Sequence, residues 1–247
     1  MTGLPRSGTT VVSGSIITHP QVLFYGELLN RFIGVRQTEA ARTTLGGWWE
    51  IANTPRRELR ACGLEENGSQ YLQELYSLDN DSKAIGFKLL FHQARNGPNA
   101  HAWSYLADNT DIKIISTRRE NLLDVVCSWV KANRSNVWHI SGDEKPWYTV
   151  ELSAQRCEEL LNHFSQIQKI LGLIKNQHQV LEIDYQLIND DFSGVMNTVY
   201  DFLELDSMDT KPSLKKIARH TPREEITNYN ELKDHFSNTQ YAKYFSY

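Results

Sequence analysis

The stretch that most constrains this chain is Gly3-Leu4-Pro5-Arg6-Ser7-Gly8-Thr9-Thr10. Val11, Val12, Ile16 and Ile17 continue it with helical character, up to His19-Pro20. A proline disfavours helical geometry in the residue before it, so a helix opening at the loop ends near His19. The first turn of a helix presents N–H groups with no intrahelical acceptor, together with the positive end of the helix dipole. Such a terminus suits a bound anion. Gly8 lets the backbone approach that anion, and Ser7, Thr9 and Thr10 offer hydroxyls. Arg6 brings a permanent charge and a fork of donors that matches phosphate or sulfate oxygens.

The nucleotide P-loop pattern is G-x-x-x-x-G-K-[ST]. Gly3 and Gly8 have its spacing and Thr10 its last position, but Thr9 stands where that pattern needs lysine. The missing lysine reaches the β- and γ-phosphates in a phosphotransferase. A small-molecule kinase therefore stays as the alternative reading, with its cation displaced to Arg6.

Short apolar runs at Val22–Tyr25, Ile85–Phe91, Ile112–Thr117 and Gln179–Ile183 read as strands. Between them, apolar residues recur at three and four positions in Glu151–Lys175 and in Asp191–Leu205, each marking one buried helix face. This alternation predicts an α/β chain: a three-layer, P-loop-like fold whose central, mainly parallel sheet is flanked by helices, in one domain over residues 1–247. Ligands of such sheets lie at the carboxyl ends of the strands. One strand end carries Arg118-Arg119, and Ser128 follows on the helix-like Leu122–Ala132. An arginine at the strand end and a hydroxyl on the next helix can converge on a second anion. Either arginine serves, and the spacing to Ser128 favours Arg119.

Pro5-Arg6-Ser7-Gly8-Thr9-Thr10 resembles the 5′-phosphosulfate loop of sulfotransferases that use 3′-phosphoadenosine 5′-phosphosulfate (PAPS). The Arg119 and Ser128 pair resembles their 3′-phosphate site. Further pieces follow in the same order: His19-Pro20 with Gly26-Glu27, Gly86-Phe87-Lys88, Leu181–Tyr185 with Asp201-Phe202-Leu203, and Ile226-Thr227-Asn228-Tyr229. Together they are similar to bacterial carbohydrate sulfotransferases of the trehalose and nodulation-factor type. The resemblance implies a PAPS-dependent enzyme that moves a sulfuryl group to a hydroxyl, of a carbohydrate or glycolipid, and releases 3′,5′-ADP. It implies that Pro5 to Thr10 hold the donor, with Arg119, Ser128 and, alternatively, Arg118. The basic R-K-G cluster of vertebrate relatives is missing. Lys215, Lys216 and Arg223 replace it or are solvated helix charges. Only Met1 and Thr2 precede Gly3, so the first strand is short or the start lies upstream.

Sulfuryl transfer needs a base for the acceptor proton. The resemblance implies Glu27, with Arg6 stabilising the leaving phosphate. His92 is the rival, just beyond the Ile85–Phe91 strand. Lys88 is either a sulfate contact or a strand-end charge. No metal-ligand spacing stands out, so no metal is expected. A protein that keeps the nucleotide site without turnover is the remaining alternative.

Composition narrows the partners. Lys plus Arg number 26 and Asp plus Glu 30, a net charge of −4, which speaks against a general nucleic-acid binder. No apolar run approaches the roughly 20 residues of a membrane span, and no basic-then-apolar leader precedes the loop. Three scattered cysteines, Cys62, Cys127 and Cys157, suggest structural thiols in a reducing cytoplasm rather than a disulfide frame. The aromatic, glycine-bearing stretch 133–150 reads as a long loop, either a lid over an acceptor or a surface excursion.

Overall fold

The computed structural model describes residues 1–29, 68–77, 82–94, 100–135, 137–138, 149–212 and 220–246. Five strands and nine α-helices are placed among these residues, in an alternating order. The strands are β1 (Thr2–Gly3), β2 (Val22–Phe24), β3 (Ala84–Gly86), β4 (Ile114–Arg118) and β5 (Val180–Asp184). β4 is central to a parallel sheet of order β1-β4-β5, with Thr2 opposite Ser116 and Ile115 opposite Leu181. β2 and β3 form a second parallel pair. Met1 links the two groups: its N donates to Phe87 O at 2.8 Å, and its carbonyl accepts from Leu89 N–H at 2.8 Å.

Strand periodicity divides the sheet into two faces. Ile115 and Ile183 point to a buried cluster with Val12 and Ile16 of α1 (Thr9–Ile16). A later helix, Phe192–Phe202, contributes Val195, Met196 and Val199 to the same cluster. On the opposite face, Ser116 accepts from Lys175 Nζ at 3.4 Å, at the end of the long helix Ala154–Lys175. That helix packs with Leu122–Ser135 through Val126, Val130, Leu160, Leu161 and Phe164. The expected parallel sheet flanked by helices is thus the observed architecture.

Helices α2 (Gly68–Ser77) and α3 (His101–Asp108) cover the β2–β3 pair, burying Leu72, Leu75, Phe87, Leu89 and Leu106 together. In chain order the others are α4 (Leu122–Ser135), α5 (Ala154–Lys175), α6 (Tyr185–Asp190), α7 (Phe192–Phe202), α8 (Pro222–Glu225) and α9 (Tyr229–Phe236). α5 starts later than its apolar pattern suggests because Ser153 caps it, accepting from Arg156 N–H at 3.2 Å.

One strand expectation needs correction. The Ile85–Phe91 run is β-paired only to Gly86, and Phe91–Ala94 is a 3₁₀ turn. Phe87 and Leu89 are apolar because they enter the core with α2 and α3, and beyond Gly86 the backbone of the run bonds to Met1 and Gly26 rather than to β2. The expected loop at 133–150 is instead helical through Ser135, and Val150 pairs with Ile226. The residues between, apart from Val137, Trp138 and Thr149, lie outside the described ones, as do Cys62, Lys215 and Lys216.

Candidate functional site

The loop Leu4–Gly8 leaves the carboxyl end of β1 and opens α1. Gly8 is the N-cap, at φ 88° and ψ 2°, with no side-chain cap on the helix. Val11 N–H turns back to the Gly8 carbonyl at 3.1 Å, so the N–H groups of Gly8, Thr9 and Thr10 are the ones left for a partner outside the helix. A Cβ at Gly8 would lie 2.7 Å from Ile188 Cδ1 and 3.0 Å from Tyr185 Cδ2, so α6 presses against the loop where only glycine fits. At Gly3 the squeeze comes from the neighbouring strand, with a Cβ 2.6 Å from the Thr117 carbonyl oxygen.

Ser7 does not play the expected part. Its side chain is fully buried, its hydroxyl lies 2.6 Å from the Leu4 carbonyl and 2.8 Å from Thr117 Oγ1, and it ties the loop to β4. The hydroxyl is a fastener, leaving only the Ser7 backbone for an anion. Thr9 is buried as well. Thr10 Oγ1 accepts from Lys88 Nζ at 2.9 Å and keeps its own proton to donate.

Arg6 joins the two predicted anion sites. Its Nε donates to Ser128 Oγ on α4 at 3.0 Å, and a terminal nitrogen donates to the Trp138 carbonyl. Arg119 reaches the same helix about one turn before Ser128, at Asp124. Its guanidinium lies 4.0 Å from the centre of the Tyr185 ring, and one terminal nitrogen reaches the Asp124 carbonyl at 3.3 Å. Its Nε is buried without a hydrogen-bond partner among the described residues. A buried, unpaired cationic donor is costly unless a ligand completes it. Arg118 points elsewhere: its exposed side chain lies 3.6 Å from the Asp184 carboxylate. Arg223 is exposed on α8, whose buried side holds Glu225 against Lys131 at 2.6 Å, and no contact there links it to Arg6 or Arg119.

At the ends of β2 and β3, Glu27 and Lys88 face one another. The Gly26 carbonyl accepts from Lys88 N–H at 2.7 Å, which brings the two backbones together. Lys88 Nζ lies 2.7 Å from Glu27 Oε1; the lysine side chain is 3% exposed and the glutamate 19%. With its bond to Thr10, Lys88 connects the start of α1 to a carboxylate. Gln93 completes the group by donating to Glu27 Oε2 at 2.7 Å. His92, on the same turn, reaches the surface. Desolvation lowers its pKa from 6.5; Glu27 opposes this, while Lys88 and His163 lower it further. The imidazole is thus held toward its neutral form within electrostatic reach of Glu27.

Gln93, Thr117 and Tyr185 were not among the sequence candidates. Gln93 lies in the mixed stretch Phe91-His92-Gln93-Ala94-Arg95, where no local pattern marks it. Nothing local in the sequence marks Tyr185 as the platform under Arg119. A cavity of about 730 Å³ is lined by Val22, Ala84, Ile112 and Ile114, and its wall extends to Phe87 and Leu89, which flank Lys88 in the chain. Among the described residues no three His, Cys, Asp or Glu side chains gather as a metal site, and no helix is long and apolar enough to cross a membrane. Cys127 and Cys157 are buried free thiols, and burial pushes both pKa values up, Cys157 to about 12.

Comparison with known proteins gives the family. The chain is 24% identical to Nodulation protein H of Rhizobium meliloti strain 1021 over 250 residues, covering 98% of this chain and 92% of that one. A second Nodulation protein H, of Rhizobium meliloti, is 25% identical over 251 residues, covering 97% and 91%. The crystal structure of a sulfotransferase from Alicyclobacillus acidocaldarius aligns over 96% of this chain and 90% of its own at 15% identity, with a TM-score of 0.48. The model of the Sulfotransferase family matches residues 1–210, most of the chain, and this protein belongs to that family.

Proposed function

We propose that this sulfotransferase takes its sulfuryl group from PAPS and gives it to a hydroxyl on a carbohydrate or glycolipid, with Glu27 as the base. The observation that carries the donor assignment is the joint between the anion sites: Arg6 touches Ser128, and Arg119, which reaches the same helix, keeps a buried donor unpaired. A donor with charged groups at both its 5′ and 3′ positions fits that pair of sites. PAPS supplies an activated S–O bond whose cleavage yields 3′,5′-ADP.

The chain's own residues do the rest. The α1 terminus and Arg6 hold the 5′ end, where negative charge gathers as the leaving phosphate departs. Arg119 and Ser128 hold the 3′-phosphate. Lys88 has donors directed to Glu27 and Thr10, which sets its ammonium between the loop and the base; its third N–H is the one to stabilise the transferring group. Glu27 takes the acceptor's proton as the new O–S bond forms. The charge-assisted contact to Lys88 holds the carboxylate in place before that transfer.

The kinase alternative lacks its cation, because Thr9 is a buried threonine where the lysine is needed. His92, exposed on its turn, is the nearby rival to Glu27 and is answered by mutation. The unpaired, buried thiols suit a reducing compartment such as the cytoplasm.

Calorimetry tests the donor. Metal-independent binding of 3′,5′-ADP, with ATP and magnesium much weaker, is the expected result. Preference for magnesium-ATP overturns the assignment.

A further inference from the structure

Glu27 is gripped at both oxygens, and the two grips differ. Lys88 holds Oε1 with a charge. Gln93 holds Oε2 with a neutral amide, and its side chain is almost fully buried. The orientation of that amide is fixed by its other end. Gln93 Oε1 accepts the Leu90 backbone N–H at 3.0 Å, within the same 3₁₀ turn. A backbone N–H can bond only to the oxygen of the amide, so the NH₂ group must face Glu27. The turn thus aims a donor at the carboxylate through a rigid local loop of bonds.

We propose that Gln93 is a positioning residue of this sulfotransferase, setting the plane of the Glu27 carboxylate so that a lone pair of Oε2 faces the acceptor hydroxyl. The inference rests on Glu27 being the base. A glutamate's terminal torsion is broad and has little preference of its own. Lys88 fixes the position of one oxygen but lets the other swing about it. Gln93 removes that freedom. An amide N–H donates to the carboxylate and cannot take its proton, so Gln93 orients the base without competing for the acceptor. Chemistry is sensitive to such placement, because misplacing a reacting group by about 1 Å costs on the order of a hundredfold in rate.

Two substitutions separate this role from a merely structural one. Gln93→Glu keeps an oxygen for Leu90 N–H but replaces the donor toward Glu27 with a second carboxylate. Gln93→Leu removes both contacts. Transfer from radiolabelled PAPS is measured with trehalose as acceptor, and with water alone as release of inorganic sulfate. The expected result is a kcat about a hundredfold lower in both variants, with the Kd for 3′,5′-ADP within about twofold of wild type. Gln93→Glu sets a buried carboxylate against Glu27 and lowers the melting temperature, so the unchanged Kd for 3′,5′-ADP is what shows that each variant keeps its fold. A Gln93→Glu protein that turns over at the wild-type rate overturns the proposal. Glu27→Gln is run beside them. If it stays active, the base assignment has failed. If it is inactive while Gln93→Glu is fully active, only the positioning role has failed.

Discussion

Arg6 and Ser128 lie 122 positions apart in the chain and are joined by a hydrogen bond of 3.0 Å. The loop Leu4–Gly8 and helix α4 are therefore joined through side chains before any ligand arrives. Part of the arginine's donor fork is occupied by protein acceptors, Ser128 and the Trp138 carbonyl. A ligand must compete with them or share the fork.

This predicts non-additive energetics. Arg6→Ala weakens 3′,5′-ADP by about tenfold to a hundredfold, as expected for a charge-assisted bond. Ser128→Ala weakens it less, because it also releases Arg6 from an internal partner. In calorimetry the double variant loses more than the sum of the two single losses, because each single variant is spared the cost of breaking the internal bond. Strict additivity contradicts the coupling.

Lys88 and Glu27 form a mostly buried pair. Removing one partner from such a pair leaves a desolvated charge unbalanced, a loss of about 3 kcal/mol. Lys88→Met should show it in urea unfolding. Adding Glu27→Gln to Lys88→Met recovers part of the stability and none of the sulfate transfer. A double variant as unstable as Lys88→Met alone is the contrary result.

Gly8 has φ at +88° and α6 side chains packed where its Cβ would be. Gly8→Ala costs about 1–3 kcal/mol of stability from the backbone alone. It also displaces the first-turn N–H groups, so 3′,5′-ADP binding weakens together with the melting temperature. A variant with wild-type affinity would show that these N–H groups contribute nothing to the site.

His92 gives a pH signature. Its folded pKa is lowered below 6.5 by desolvation first, and also by Lys88 and His163, against the pull of Glu27. The unfolded chain then binds a proton that the folded chain resists. Between pH 6.5 and the lower folded value, stability falls as pH falls, and the penalty is absent above 6.5. His92→Asn flattens the melting temperature against pH in that window. An unchanged slope would assign the effect to other groups.

The sequence showed the loop and the parallel α/β order because each depends on local pattern. Gly8 must open a helix, and Ile114 to Thr117 must read as a strand whichever neighbours pair with them. Phe87 to Phe91 misled because burial alone selects apolar residues, whether or not a strand partner exists. The site was legible as residue types but not as bonds. Ser7 looked like a ligand hydroxyl, yet Thr117, distant in sequence, claims it. The Gln93 contact depends on a 3₁₀ turn that no periodicity marks. The choice between Arg118 and Arg119 required knowing that Asp184 and Tyr185 end the adjoining strand and start the next helix.

Arg6 has a left-handed backbone, with φ at 66°. A side chain there raises the energy of the fold, and glycine would relieve it. Selection for heat resistance alone would therefore drift toward glycine at position 6 and yield a sturdier protein without the guanidinium that we propose holds the donor. The wild-type residue marks a place where durability and turnover pull in opposite directions.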